Sequence, residues 1–164
     1  MKREEAEMEI SVFELRLKVY TLVDINLEEV LLAEAEYIDS AFALDDEWFR
    51  FHENNEYKNY TFSGLYPLAK DGIYKKDNVY TITIRTVDSR LEQYMRKTLA
   101  NHYTDKMKGL TITSRIIPKK FINQLYTLTP VIQKYDGGYW KKAVSIDEYE
   151  KRLFANAVKK YNAF

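Results

Sequence analysis

Apolar and polar residues alternate over Ser11–Tyr20. Phe13, Leu15, Leu17 and Val19 fall on one side, and Glu14, Arg16 and Lys18 on the other. A period of two predicts a half-buried β-strand. The period then lengthens: Leu27, Val30, Leu31, Ile38, Ala41 and Phe42 recur at helical spacing. Asn26 is placed to cap this helix, with Glu29 completing a capping box. Asp45 and Asp46 predict the start of a second, short helix through Trp48, Phe49 and Phe51. The chain leaves it in the polar stretch His52–Lys58. Aromatic and β-branched residues predict strands at Tyr60–Tyr66, which ends at Pro67, and at Val79–Val87. Asp71-Gly72 marks a turn between them. Asp88 is the expected cap of a helix carrying Leu91, Tyr94, Met95 and Leu99. Gly109 is expected to end that region before a strand over Leu110–Ile117.

The predicted order is β-α-β-β-α-β with an extra short helix, which is the split βαβ, ferredoxin-like pattern of an α+β protein. Its antiparallel sheet carries helices on one face. Beyond it lie a predicted strand at Gln124–Gln133, a turn at Asp136-Gly137-Gly138, and a final helix opened by Ser145 and Glu148. The expected organisation is a charged extension at 1–10, a ferredoxin-like domain at 11–118, and a β-α unit at 124–164. This last unit is expected to be the start of a second ferredoxin-like domain, in a truncated chain.

Composition narrows the chemistry. The chain has 164 residues and no cysteine, which excludes a disulfide scaffold, a thiolate metal site and a cysteine nucleophile. Its two histidines, His52 and His102, lie far apart in sequence, so neither a metal nor another cofactor is expected. No apolar run approaches the length of a membrane span. The opening MKREEAEMEI lacks the apolar segment of a signal peptide, so a cytoplasmic location is expected. The net charge of zero hides a division. Residues 1–60 hold 6 basic and 16 acidic side chains, whereas residues 61–164 hold 19 and 9. A basic second part is what a phosphate binder would show, and equally what ordinary solvated surface would show. The 14 tyrosines suit either recognition or a core.

His52, Lys58 and Tyr37 supply the side-chain types for metal-free RNA cleavage, in which the RNA's own 2′-hydroxyl attacks the adjacent phosphate. That reaction needs a base, an acid for the leaving 5′-oxygen, and a cation for the phosphorane charge. In one straight helix Tyr37 and His52 would be roughly 22 Å apart, so the chain must turn back, with Asp45-Asp46 the expected place. A helix-terminal surface histidine is the simpler reading of His52 alone. His102 is expected at a helix end, its imidazolium complementing the dipole.

The run FHENNEYKNYTFSGLYP, then IYKKDNVYTITIRTVD, HYTDKMKGLTITSRIIPKK, LYTLTPVI and DEYEKRLFANAVKKYN, resembles the CRISPR-associated repeat-processing endoribonucleases of the RAMP superfamily. The resemblance covers nearly the whole chain after residue 10. It implies two ferredoxin-like domains and an endoribonuclease that matures precursor CRISPR RNA by cutting within its repeats. The products would be a 2′,3′-cyclic phosphate (or 3′-phosphate) and a 5′-hydroxyl. His52 would be the general acid, Tyr37 the base or hydroxyl-orienting group, and Lys58 the phosphate stabiliser. Lys75, Lys76, Arg85, Lys106, Lys108, Arg115, Lys119 and Lys120 are the candidate RNA contacts, although Arg85 and Arg115 could instead pair with acids. The partners implied are CRISPR repeat RNA and subunits of an effector complex. The glycine-rich loop near the end of the family's second domain has no counterpart here, which is the ground for expecting a truncated chain. Two other readings stand beside this one. One is a non-catalytic repeat-binding module, and the other is an interaction domain that dimerises through a free strand edge.

Overall fold

A computed structural model describes residues 10–54, 58–118, 124, 126–127 and 131–162. The chain is an α+β protein that divides into two units, residues 1–125 and 126–164. Lys119 and Lys120 lie outside the described residues, as does part of the strand expected at Gln124–Gln133.

The first unit is built on four strands: β1 (Phe13–Thr21), β3 (Tyr60–Phe62), β5 (Val79–Thr86) and β6 (Met107–Ile116). They lie in the order β3-β5-β1-β6, and every neighbouring pair is antiparallel. The alternation along β1 sends Leu15, Leu17 and Val19 to a face where they are fully buried, joined there by Ile82 and Ile84 of β5. Burial of each such side chain contributes roughly 1.5–3 kcal/mol. The helices α1 (Val30–Phe42) and α3 (Ser89–Thr98) supply Val30, Ala33, Ile38, Phe42, Leu91 and Met95 to the same core. The register of β1 with β6 shifts between Lys18 and Val19, and Leu110 is left over and exposed as a bulge.

Three local expectations need correction. Asn26 does not cap α1. It lies in a two-residue strand, β2 (Ile25–Asn26), paired with β4 (Ile73–Tyr74), and its carbonyl accepts from Glu29. The helix therefore starts one turn later, with Leu27 and Leu31 exposed. Gly109 does not end the region before β6 but lies inside that strand. A Cβ there would lie 2.0 Å from the Leu99 carbonyl oxygen and 2.4 Å from the Tyr37 hydroxyl, so only glycine admits the approach. Tyr60–Tyr66 is interrupted: the strand stops at Phe62, and Tyr66 rejoins the sheet by a single bridge to Thr81. Ser63 Oγ accepts from the Thr83 amide at 3.1 Å, occupying the ladder at the break.

The caps at Asp45 and Asp88 form as predicted. Asp45 accepts from Glu47 and Trp48 at the start of α2 (Asp46–Glu53), and Asp88 accepts from Arg90 and Leu91.

The second unit holds a small hairpin, β7 (Lys134–Tyr135) and β8 (Gly138–Tyr139), then α4 (Trp140–Ala143) and α5 (Ile146–Asn162). The strand expected over Gln124–Gln133 is absent from its described residues, and pairing begins only at Lys134. Gly138 adopts φ +105°, which the hairpin turn requires. Ser145 Oγ accepts from the Glu148 amide at 3.3 Å and opens α5. Trp140 stacks on Tyr149 at 4.4 Å, and Arg152 covers Tyr135 at 4.3 Å, holding hairpin and helix together. No helix among the described residues is long and apolar enough to cross a membrane.

Candidate active site

The turn that sequence spacing demanded lies between α1 and α2. Leu44 and Asp45 donate back to the carbonyls of Ala41 and Phe42, reversing the chain. The Phe42 ring becomes the floor of the resulting site. It stacks on His52 at 6.1 Å and 25°, and meets Phe51 at 6.1 Å and Tyr60 at 5.7 Å edge-on.

His52 Nδ1 lies 3.3 Å from Asp39 Oδ1 of α1, and both side chains are about one third exposed, at 35% and 36%. Burial raises the Asp39 carboxyl above its usual pKa, against the opposing pull of His52 and Lys58. An Asp39 contact at Nδ1 orients the ring and leaves Nε2 as the nitrogen able to exchange a proton with a substrate. Lys58 donates to the carbonyls of Phe51 and Asn54 at the end of α2, and its ammonium sits 4.7 Å over the Phe51 ring. An ammonium has three donors, so one remains for an anion. The tyrosine beside this group is Tyr60, whose hydroxyl is pushed up to about 12 by burial and by the Asp39 charge. Such a phenol donates a hydrogen bond and does not act as a base near neutral pH.

The structure therefore brings His52 and Lys58 together around Asp39, and it places Tyr37 elsewhere. Tyr37 is fully buried. Its hydroxyl lies 2.6 Å from the Leu99 carbonyl oxygen and 3.0 Å from that of His102, to which it donates. Burial raises this phenol further above its usual value, against a smaller opposing effect of the Gly109 backbone. To serve as a base or to orient a substrate hydroxyl, Tyr37 would have to leave both carbonyls and reach solvent.

His102 does follow a helical turn, but its expected imidazolium is disfavoured. Burial pushes its pKa down, and its Nε2 lies 2.7 Å from Ser40 Oγ. The ring meets Tyr37 edge-on at 5.1 Å.

The basic candidates divide by partner. Arg85 and Arg115 both clasp Glu14, at 2.9 Å and 2.7 Å, so they pair with an acid. Lys106 pairs with Glu36 at 2.7 Å, and Lys75 with Asp71 at 3.6 Å and Asp24 at 3.9 Å. Lys76 and Lys108 are exposed.

Asp39 and Tyr60 were not visible as site residues in the sequence. Asp39 reads as one more polar residue on an amphipathic helix until the α1–α2 turn is known. Tyr60 reads as the first residue of a strand. Compared with known proteins, the chain matches no family model, no curated protein and no solved structure.

Proposed function

We propose that the chain is a metal-independent endoribonuclease acting on CRISPR repeat RNA. The observation that carries this reading is the convergence of His52 and Lys58 on Asp39, with the His52 ring stacked on Phe42 and the Lys58 ammonium over Phe51. In the proposed reaction the substrate's 2′-hydroxyl gives up its proton to solvent water and attacks the adjacent phosphorus, and the bond from phosphorus to the 5′-oxygen breaks. His52 Nε2 delivers its proton to that oxygen, yielding a 2′,3′-cyclic phosphate and a 5′-hydroxyl. Asp39 holds the imidazole by Nδ1 and fixes its orientation. Lys58 offers its remaining N–H to the phosphorane oxygens. Tyr37 acts at a distance, anchoring α1, and with it Asp39, to the Leu99–His102 segment.

The strand order β3-β5-β1-β6, with α1 crossing from β1 to β3 and α3 from β5 to β6, each pair parallel with one antiparallel strand between, supports a ferredoxin-like fold for the first unit. This is the fold that the resemblance to the repeat-processing endoribonucleases implies. The decisive test is cleavage of labelled repeat RNA in EDTA by the parent chain and by His52→Ala.

A binding-only reading has one observation in its favour. Lys58 already caps the carbonyls at the end of α2, a structural role that needs no substrate. That reading predicts salt-sensitive RNA binding and no product.

A further inference from the structure

The four-stranded sheet buries one face under its helices, and on the other Arg16, Lys18, Thr111, Thr113 and Arg115 are exposed. The register places the open-face side chains in rows across the strands. Glu14 stands between Arg85 and Arg115, Arg16 between Thr83 and Thr113, and Lys18 between Thr81 and Thr111. Tyr20 follows, beside Lys108, and Tyr66 extends the Lys18 row through its bridge to Thr81. Successive rows are about 7 Å apart, two residues along a strand.

Three properties of this face point to one occupant. The first is its charge. Five cations (Arg16, Lys18, Arg85, Lys108 and Arg115) face the inward carboxylate of Glu14, which Arg85 and Arg115 clasp at 2.9 Å and 2.7 Å and which Arg16, with 57% of its side chain exposed, also reaches through Nε at 3.3 Å. Asp77 stands at the edge of the face, where the Tyr20 hydroxyl donates to it. Lys18 and Lys108 have no ion pair among the described residues. The second is its hydroxyls. Thr81, Thr83, Thr111 and Thr113 flank Arg16 and Lys18 in a pocket of about 380 Å³ and can donate to or accept from an anion and a sugar. The third is Tyr66, which forms part of the pocket wall with 68% of its surface exposed. A flat, uncovered ring beside cations is how single strands are held, with bases stacked and phosphates paired.

We propose that this open sheet face binds single-stranded nucleic acid, with one base stacked on Tyr66 and the adjoining phosphates on Arg16 and Lys18. The inference rests on the polynucleotide substrate assigned above and adds where the strand lies away from His52.

The test is fluorescence anisotropy of a labelled 12-residue oligouridylate with the whole chain, across a salt series. Tyr66→Ala weakens binding about tenfold or more, and Tyr66→Phe retains it. Arg16→Ala/Lys18→Ala weakens binding and makes the slope of log affinity against log salt shallower by about 1.4. Lys97→Ala, an exposed cation on α3, leaves affinity unchanged. Thermal unfolding midpoints of all variants confirm that they remain folded. No binding by the parent chain, or affinities insensitive to Tyr66, Arg16 and Lys18, overturns the proposal. So does an equal loss with Lys97→Ala, which would reduce the effect to bulk charge. Intact Tyr66-dependent binding without cleavage in EDTA would sink the catalytic reading and leave this one standing. Cleavage and binding that ignore Tyr66, Arg16 and Lys18 would do the reverse.

Discussion

His52 Nδ1 and Asp39 Oδ1 approach to 3.3 Å across the turn that joins two helices. The contact makes Asp39 a positioning residue for the proposed acid. Replacing His52 by alanine should slow repeat-RNA cleavage by about 10²–10⁴-fold, the usual worth of a positioned acid. Asp39→Asn keeps the shape and a hydrogen-bonding group but removes the charge. It should cost less than His52→Ala and should alter the acidic side of the pH–rate profile. A rate equal to the parent's at every pH would remove Asp39 from the mechanism.

Tyr37 offers a clean separation of structure from catalysis. Its hydroxyl binds the Leu99 and His102 carbonyls from a fully buried ring. Tyr37→Phe should therefore lower unfolding stability by about 1 kcal/mol, because the Leu99 and His102 carbonyls lose the phenol donor and keep only the backbone N–H of His102 and of Gly109. The cleavage rate of the folded protein should change little. A large rate loss at unchanged stability would instead make the hydroxyl catalytic.

Gly109 belongs to the same junction. Gly109→Ala drives a methyl group into the Leu99 carbonyl and the Tyr37 hydroxyl. Urea unfolding should register a loss of about 1–3 kcal/mol. Combining it with Tyr37→Phe should recover only part of this, since the clash with the Leu99 backbone persists.

Glu34 of α1 is fully buried, and neither of its carboxyl oxygens has a hydrogen-bond partner among the described residues. Burial pushes its pKa up to about 9, so the folded protein carries it protonated at neutral pH. The folded state thus binds a proton that the unfolded state releases near 4.5, the usual value for this carboxyl. This contribution to stability is fully present below that pH and is lost as pH rises toward 9. Glu34→Gln should flatten the decline between those limits in chemical denaturation series. Glu34→Met, which also removes the unpaired oxygens, should stabilise the protein at pH 8. Parallel pH profiles for the parent and Glu34→Gln would contradict this account.

Glu14 carries the opposite sign. Its burial raises the pKa, but the hydrogen bonds and charges of Arg85 and Arg115 outweigh it, and the net shift is downward. Its contribution is present above the usual carboxylate range and is lost as pH falls through the depressed value. Glu14→Gln should cost about 1–3 kcal/mol at neutral pH, since the charge-assisted hydrogen bonds from Arg85 and Arg115 are lost. The same variant should lose less stability than the parent on acidification.

Much of the scaffold was legible because local signals agreed with the tertiary outcome. The alternation of β1, the caps at Asp45 and Asp88, and the apolar stripe of α3 each have one physical reading. The failures mark places where contacts distant in sequence prevail. Asn26 looks like a cap, yet pairing with Ile73–Tyr74 claims it for a strand. Gly109 looks like a terminator, yet its role is to admit Leu99 and Tyr37. At the site, the residue types at His52 and Lys58 were readable. Asp39 became a partner only through a turn whose exact geometry no spacing rule supplies. Tyr37 looked equally chemical, but nothing in the sequence distinguishes a buried phenol from an exposed one when the helix carries both kinds of position.

The measurement that bears most directly on the account is end-group analysis of labelled repeat RNA incubated in EDTA with the parent chain and with His52→Ala. The account predicts one cut within the repeat, a 2′,3′-cyclic phosphate on the upstream product, a 5′-hydroxyl on the downstream one, and near-complete loss with His52→Ala. RNA that stays intact with the parent chain, or cleavage that His52→Ala leaves unchanged, would contradict it.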